Sequence, residues 1–167
     1  PPASEPLERE LGNGLRVVVS PLPHLRAASI VVAFGVGSRH EAPEDSGLTH
    51  LLEHMVYRGT ARFPTAYELN HALDVMSEVF VSPRFGQLDV EKRIVKEEIL
   101  EGLDEDGVCI DADDLSRRQI WGQHPLGQPI IGSEARIDAF DEGDLRRHLE
   151  RAFVAGNAVL SVAGPVD

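Results

Sequence analysis

Residues 50–60 read HLLEHMVYRGT and bring two imidazoles and a carboxylate, His50, His54 and Glu53, into one short segment. On a helix, residues four apart face the same way, so His50 and His54 can aim their rings at one point. Imidazole nitrogen is a ready zinc ligand, and catalytic zinc sites commonly use three protein ligands with one position left for water. Glu53 follows His50 by three positions and approaches that point from the side. A carboxylate so placed can take a proton from water attacking a carbonyl. The spacing H-x-x-E-H, the inverzincin order, reverses the commoner H-E-x-x-H of zinc proteases. The bland alternative is a surface turn that happens to hold two histidines.

A third ligand decides between them, and the charged segment Leu88–Leu103 offers candidates. Glu91 and Glu98 lie nearly two helical turns apart, within about 20° of each other on the wheel. Ile94 and Val95 flank both, which is unlike a plain solvated stripe. Lys92, Arg93 and Lys96 are cationic and cannot compete as ligands, and Glu97 points about 100° away from Glu98.

The elements that must position these groups follow from periodicity. Leu15–Val19 and Ser29–Phe34 are rich in Val and Ile and are separated by the turn-forming SPLPHLRA, which predicts two strands of one sheet. EAPEDSG is a loop with Ser46 a candidate N-cap. From Leu48 to Tyr57, Leu48, Leu51, Leu52, Met55 and Val56 fall at helical spacing, with Gly59 a plausible terminator. A helix is expected from Thr65 through Leu73, continuing to Phe80, and another from Leu88 to about Leu103. After the acidic loop DEDGVCIDADD come a short helix around Leu115–Trp121, the Pro/Gly-rich GQHPLGQPIIG, the amphipathic GDLRRHLERAF and a buried strand, NAVLSVAG. Strands, then helices, then a strand predict an α+β domain with a largely antiparallel sheet and helices packed on one face.

Composition narrows the function classes. The length of 167 residues suits one domain with a real core. A net charge of −12, from 28 acidic against 16 basic residues, argues against nucleic acid and anionic membrane as partners. It would suit a cationic peptide, though the same charge also keeps a domain soluble. No apolar run is long enough to span a bilayer. PPASEPLERELGNG lacks the layout of a signal peptide, which points to the cytoplasm. A single cysteine, Cys109, excludes an internal disulfide framework.

With these residues assembled, GLTHLLEHMVYRGT resembles the zinc helix of the pitrilysin/insulinase metallopeptidases. NGLRVVV and the GVGSRHE stretch look like that family's opening hairpin, and DVMSEVFVSPRFGQLDVEKRIVKEEILEGLDED looks like its glutamate-bearing helices. GQHPLGQPIIGSEARIDAFDEGDLRRHLERAFVAGNAVLSVAGPVD is similar to its closing helix and strand. The resemblance implies a zinc endopeptidase acting on peptides or unfolded polypeptide segments, with one Zn2+ per catalytic domain. By the same resemblance His50, His54 and Glu98 ligate the metal and Glu53 is the catalytic base. Glu91 matches a second catalytic-site carboxylate that supports the site without binding the metal. His24, His40, His71, His124 and His148 match no catalytic position, and His124 in the QHPLG turn is read as structural.

The sequence departs from the family pattern twice. The interval between His54 and Glu98 is short, and the missing stretch, expected near Leu73–Asp74, is where the family carries a hairpin whose edge pairs with extended substrate. Both flanks look intact, so a segment missing from the sequence is favoured over native shortening. A Cα–Cα distance near 3.8 Å at that join would instead mark a shortened chain. Secondly, residues 1–167 look like a single but incomplete catalytic domain. The family closes a chamber over the site with a second homologous domain or a partner subunit, in a homo- or heterodimer, and substrate-binding residues supplied there cannot be mapped here. Two rival readings are a non-catalytic structural or peptide-binding subunit of the same family and a zinc-stabilised domain without a reaction. The intact base among the ligands argues against the first, and three ligands rather than a closed four argue against the second.

Overall fold

The structure, a computed structural model, describes residues 5–26, 28–58, 79–80 and 82–165. The chain divides into two compact units, Pro1–Gly35 with Glu150–Asp167, and Val36–Leu149.

The first unit holds a four-stranded sheet of β1 (Leu7–Glu10), β2 (Arg16–Pro21), β3 (Ser29–Phe34) and β4 (Ala158–Gly164), in the order β1-β2-β4-β3. Val and Ile dominate β2 and β3, side chains that suit a pleated, half-buried surface. β1 and β2 form an antiparallel hairpin about Asn13–Gly14, where Gly14 takes a φ of 85° that favours glycine. β2 and β3 share the sheet as expected but do not pair. β4 lies between them, parallel to β2 (Arg16↔Val159) and antiparallel to β3 (Phe34↔Ala158). The opening hairpin expected from NGLRVVV and GVGSRHE is therefore corrected: its partner strands are β1 and β2, and Ser38–His40 forms a 3-10 turn instead.

The second unit is built on helices: α1 (Leu48–Val56), α2 (Leu88–Glu101), α3 (Ala112–Trp121), α4 (Glu134–Ala139) and most of α5 (Glu142–Ala152). With the mostly antiparallel sheet, these five α-helices of the described residues make the chain α+β. At nine residues α1 is too short to be stable by itself. Its apolar stripe fixes it: Leu51, Leu52 and Met55 are fully buried, with Val95 of α2, Ile137 of α4 and Leu145 of α5. Burying each such side chain is worth about 1.5–3 kcal/mol, which outweighs local propensity in setting which face of α1 turns outward.

The start of α1 is held differently from expectation. Its N-cap is Gly47, not Ser46, and no side chain of the cap residue satisfies the first turn. The buried Glu41 does so, accepting from Gly47 N at 2.9 Å and Thr49 N at 2.6 Å. A carboxylate there also complements the positive end of the helix. Thr49 Oγ1 further bonds His148 Nε2 of α5 at 2.9 Å, which gives His148 a structural task. At the start of α5, Asp141 and Asp144 each accept from the other's backbone N–H, at 2.8 and 2.9 Å. The Asp141 N–H holds the Asp144 carboxyl below its usual range, helped by Arg147 beside it.

Gly47 and Gly132 cross at close range. A Cβ on Gly47 would lie 2.6 Å from Ile131 O, and one on Gly132 would lie 2.6 Å from Ser46 O, with φ at +91° and +84°. Gly47→Ala is expected to lower unfolding free energy by about 2–4 kcal/mol, from left-handed strain plus overpacking. Urea denaturation checks this, and a change below about 0.5 kcal/mol, the range of an ordinary surface substitution, would contradict it.

The helix expected at Thr65–Leu73, the terminator Gly59 and the Leu73–Asp74 join lie outside the described residues. No helix of the described residues is long and apolar enough to cross a membrane.

Candidate metal centre

α1 and α2 pack against each other within the second unit, and their facing sides carry the predicted residues. The periodicity that buries Leu51, Leu52 and Met55 leaves His50, Glu53 and His54 on the remaining arc of α1. Val95, fully buried, plays the same part in α2 and sets Glu91 and Glu98 on the side toward α1.

Glu98 Oε2 lies 3.2 Å from His50 Nε2 and 3.5 Å from His54 Nε2. The three ligand atoms all fall within 4.8 Å of one another, and the two imidazole rings stand 4.8 Å apart between centroids. Donors about 2.0–2.1 Å from a tetrahedral zinc stand about 3.3–3.4 Å from each other, so the Glu98–histidine spacings fit such an ion. Two imidazole nitrogens and one carboxylate oxygen are also a donor set that zinc favours.

Glu91 is placed differently. It is fully buried, and its oxygens face Arg58 Nη2 at 2.5 Å and His54 Nδ1 at 3.5 Å. These are charge contacts rather than aligned hydrogen bonds. Glu91 thus sits behind His54, on the ring nitrogen opposite the one that meets Glu98. Glu53 is exposed and lines, with His54, Tyr57, Arg58 and Glu91, a shallow cleft of about 350 Å³. A larger cleft of about 770 Å³ opens on His50 and Glu98 and runs past Ile99, Arg117 and Ile131.

The structure therefore brings together His50, His54 and Glu98, with Glu91 and Glu53 at their margin. Glu97 is exposed, and Lys96 is paired with Asp138 of α4 at 2.8 Å. His124 Nδ1 accepts from Leu126 N in its turn. Two contributors escaped sequence reasoning, Glu41 and Arg58. Arg58 had a visible signal, since it is the cation of the YRGT run that follows the histidines at helical reach.

His50 and His54 on one helix thus face Glu98, which supplies a carboxylate as the third donor from a second helix. Comparison with known proteins narrows this further. The model of the insulinase family, peptidase family M16, matches residues 16–69. The chain is 32% identical, over 187 residues, to "uncharacterized zinc protease YmxG" of Bacillus subtilis, covering 93% of this chain and 45% of that protein. It is 29% identical to "uncharacterized zinc protease SCO5738" of Streptomyces coelicolor, over 94% of this chain and 41% of that one. In fold it matches a protease from Helicobacter pylori with a TM-score of 0.84 at 21% identity, covering 99% of this chain and 47% of that chain. By these matches the chain is similar to the pitrilysin/insulinase family, peptidase family M16. It spans a little under half the length of these relatives. The Bacillus alignment runs over 187 residues, more than the 167 of the chain, so that relative carries residues this chain lacks.

Proposed function

We propose that the chain is the catalytic part of a zinc endopeptidase that hydrolyses peptides or unfolded polypeptide segments. The observation that carries this reading is the convergence of His50, His54 and Glu98 on one point, with Glu53 on the same helix as both histidines. The names of the relatives, zinc proteases, support it. One zinc would be held per catalytic domain, by His50 Nε2, His54 Nε2 and the Glu98 carboxylate. When bound, it supplies a Lewis acid that polarises a carbonyl and acidifies water.

The protein's own groups do the rest. The Glu53 carboxylate accepts the proton released as the water oxygen bonds to the scissile carbonyl carbon. It then delivers that proton to the amine nitrogen as the C–N bond breaks, leaving one new carboxyl and one new amine. Glu91 faces His54 Nδ1 and so keeps Nε2 turned toward Glu98. Residues 1–167 are read as one catalytic domain, and a second homologous domain or partner subunit, in a homo- or heterodimer, closes a chamber over the site. The greater length of the relatives supports that part of the reading.

Incubating the zinc-loaded chain with an unfolded polypeptide and following fragments by mass spectrometry tests the proposal. Internal cleavage is expected, abolished by a chelator and restored by zinc. Cleavage that survives complete metal removal would refute it. One observation favours a second reading, a non-catalytic peptide-binding member: the relatives' alignment exceeds this chain, as a lost substrate-binding hairpin would require. Zinc and peptide both bound, with no fragments, would be its signature.

A further inference from the structure

We propose that Arg58 is a positioning residue of the metal centre, acting through Glu91 on His54. The inference rests on reading His50, His54 and Glu98 as zinc ligands. Glu91 is a carboxylate with no exposed surface, and a charge so placed needs an opposite charge close by. Among the described residues the cation in contact with it is Arg58, with Nη2 2.5 Å from Oε1. The other oxygen, Oε2, is the one that faces His54 Nδ1. The carboxylate is therefore spanned, with the guanidinium on one oxygen and the imidazole on the other. Held by Arg58, it presents a fixed negative edge to Nδ1, which sets the tilt of the ring and leaves Nε2 directed at Glu98.

Arg58 lies one helical turn beyond His54, just past the end of α1, so the same backbone segment carries ligand and support. Its side chain is 39% exposed while Glu91 is closed off, so the guanidinium reaches inward from the cleft that Glu53 also lines. That position allows a competing role, direct contact with substrate, and the two roles separate by experiment. A substrate contact changes KM and leaves zinc affinity alone. A positioning residue changes zinc affinity before any substrate is present.

The test measures zinc affinity of the full chain by competition with a chromophoric chelator, for the parent, Arg58→Met, Arg58→Lys, Glu91→Gln and the double variant R58M/E91Q. Loss of an outer-shell partner typically costs about 10–100-fold in metal affinity, and that loss is expected for Arg58→Met. Arg58→Lys keeps the cation and is expected to bind within about fivefold of the parent, less than that range. In the Glu91→Gln background, Arg58→Met should weaken zinc no further, because the residue acts through Glu91. Should Arg58→Met fail to fold, the lysine variant and the double variant, which removes both charges together, carry the comparison. Equal zinc affinity in the parent and Arg58→Met overturns the inference, as does an equal loss with and without Glu91. A parent chain that binds no zinc refutes the metal site itself and not this inference alone.

Discussion

Glu53→Gln is expected to keep zinc at the parental affinity and to lose peptide hydrolysis by about 10²–10⁴-fold in kcat, the usual contribution of a general base. The prediction follows from where Glu53 stands. It shares α1 with both histidines but is not among the three groups whose ligand atoms converge, so replacing it leaves the donor set intact. Glutamine preserves length and polarity but cannot accept a proton from water. The rate falls because proton removal must then be left to solvent, a barrier rise of about 3–5 kcal/mol. KM should stay within about threefold, since the lost interaction exists only in the transition state. Hydrolysis at the parental rate in Glu53→Gln would remove Glu53 as the base. The nearest substitute would then have to come from the cleft it lines, where Glu91 is committed to Arg58 and His54.

Glu98→Gln should fail one step earlier, losing the metal and with it all hydrolysis. Glu98 Oε2 is the atom that meets both Nε2 nitrogens, so the substitution replaces the sole anionic donor of the trio by a neutral amide. Two imidazoles one turn apart remain, a set short of the three protein ligands that catalytic zinc commonly takes. Zinc affinity is expected to fall by more than about 100-fold, beyond the range of an outer-shell change. Elemental analysis after dialysis against a weak chelator reads this directly. Unchanged zinc occupancy would remove Glu98 as a ligand. The two variants separate the roles cleanly, because Glu53→Gln leaves metal without turnover and Glu98→Gln leaves neither.

Local order dominates what the sequence reveals of this protein. The α1 stripe of Leu48, Leu51, Leu52, Met55 and Val56 is written at helical spacing, and all five side chains are buried. Because that stripe sets the helix's rotation, the outward placement of His50, Glu53 and His54 was legible too. The Glu91–Glu98 spacing was legible for the same reason, although wheel geometry could not tell that Glu91 would be closed off while the side chain of Glu98 stays 45% exposed. Arg58, just past the end of α1, is the cation that meets Glu91 there.

What was not legible depends on distant parts of the chain. β1 reads LERE and is exposed along its length, so no apolar alternation announces it; backbone pairing to β2 alone makes it a strand. The insertion of β4 between β2 and β3 joins the two ends of the described chain and leaves no trace in either local pattern. α4, at six residues, is shorter than the window in which helical periodicity can be counted. Glu41 lies in a loop several residues before α1, and only the folded chain turns its carboxylate onto Gly47 and Thr49. The α5 capping pair was not read either: Asp141 precedes the amphipathic run that begins at Gly143, and only the folded turn sets it and Asp144 on each other's backbone N–H.

The central claim is that two imidazoles and one carboxylate of this chain hold a single zinc. X-ray absorption at the zinc edge of the loaded protein tests it most directly. The expected spectrum has one zinc per chain with nitrogen and oxygen scatterers only, at about 2.0–2.2 Å and including two imidazoles. A sulfur scatterer at about 2.3 Å, which only Cys109 or a methionine could supply, or a shell with fewer than two imidazoles, would contradict it.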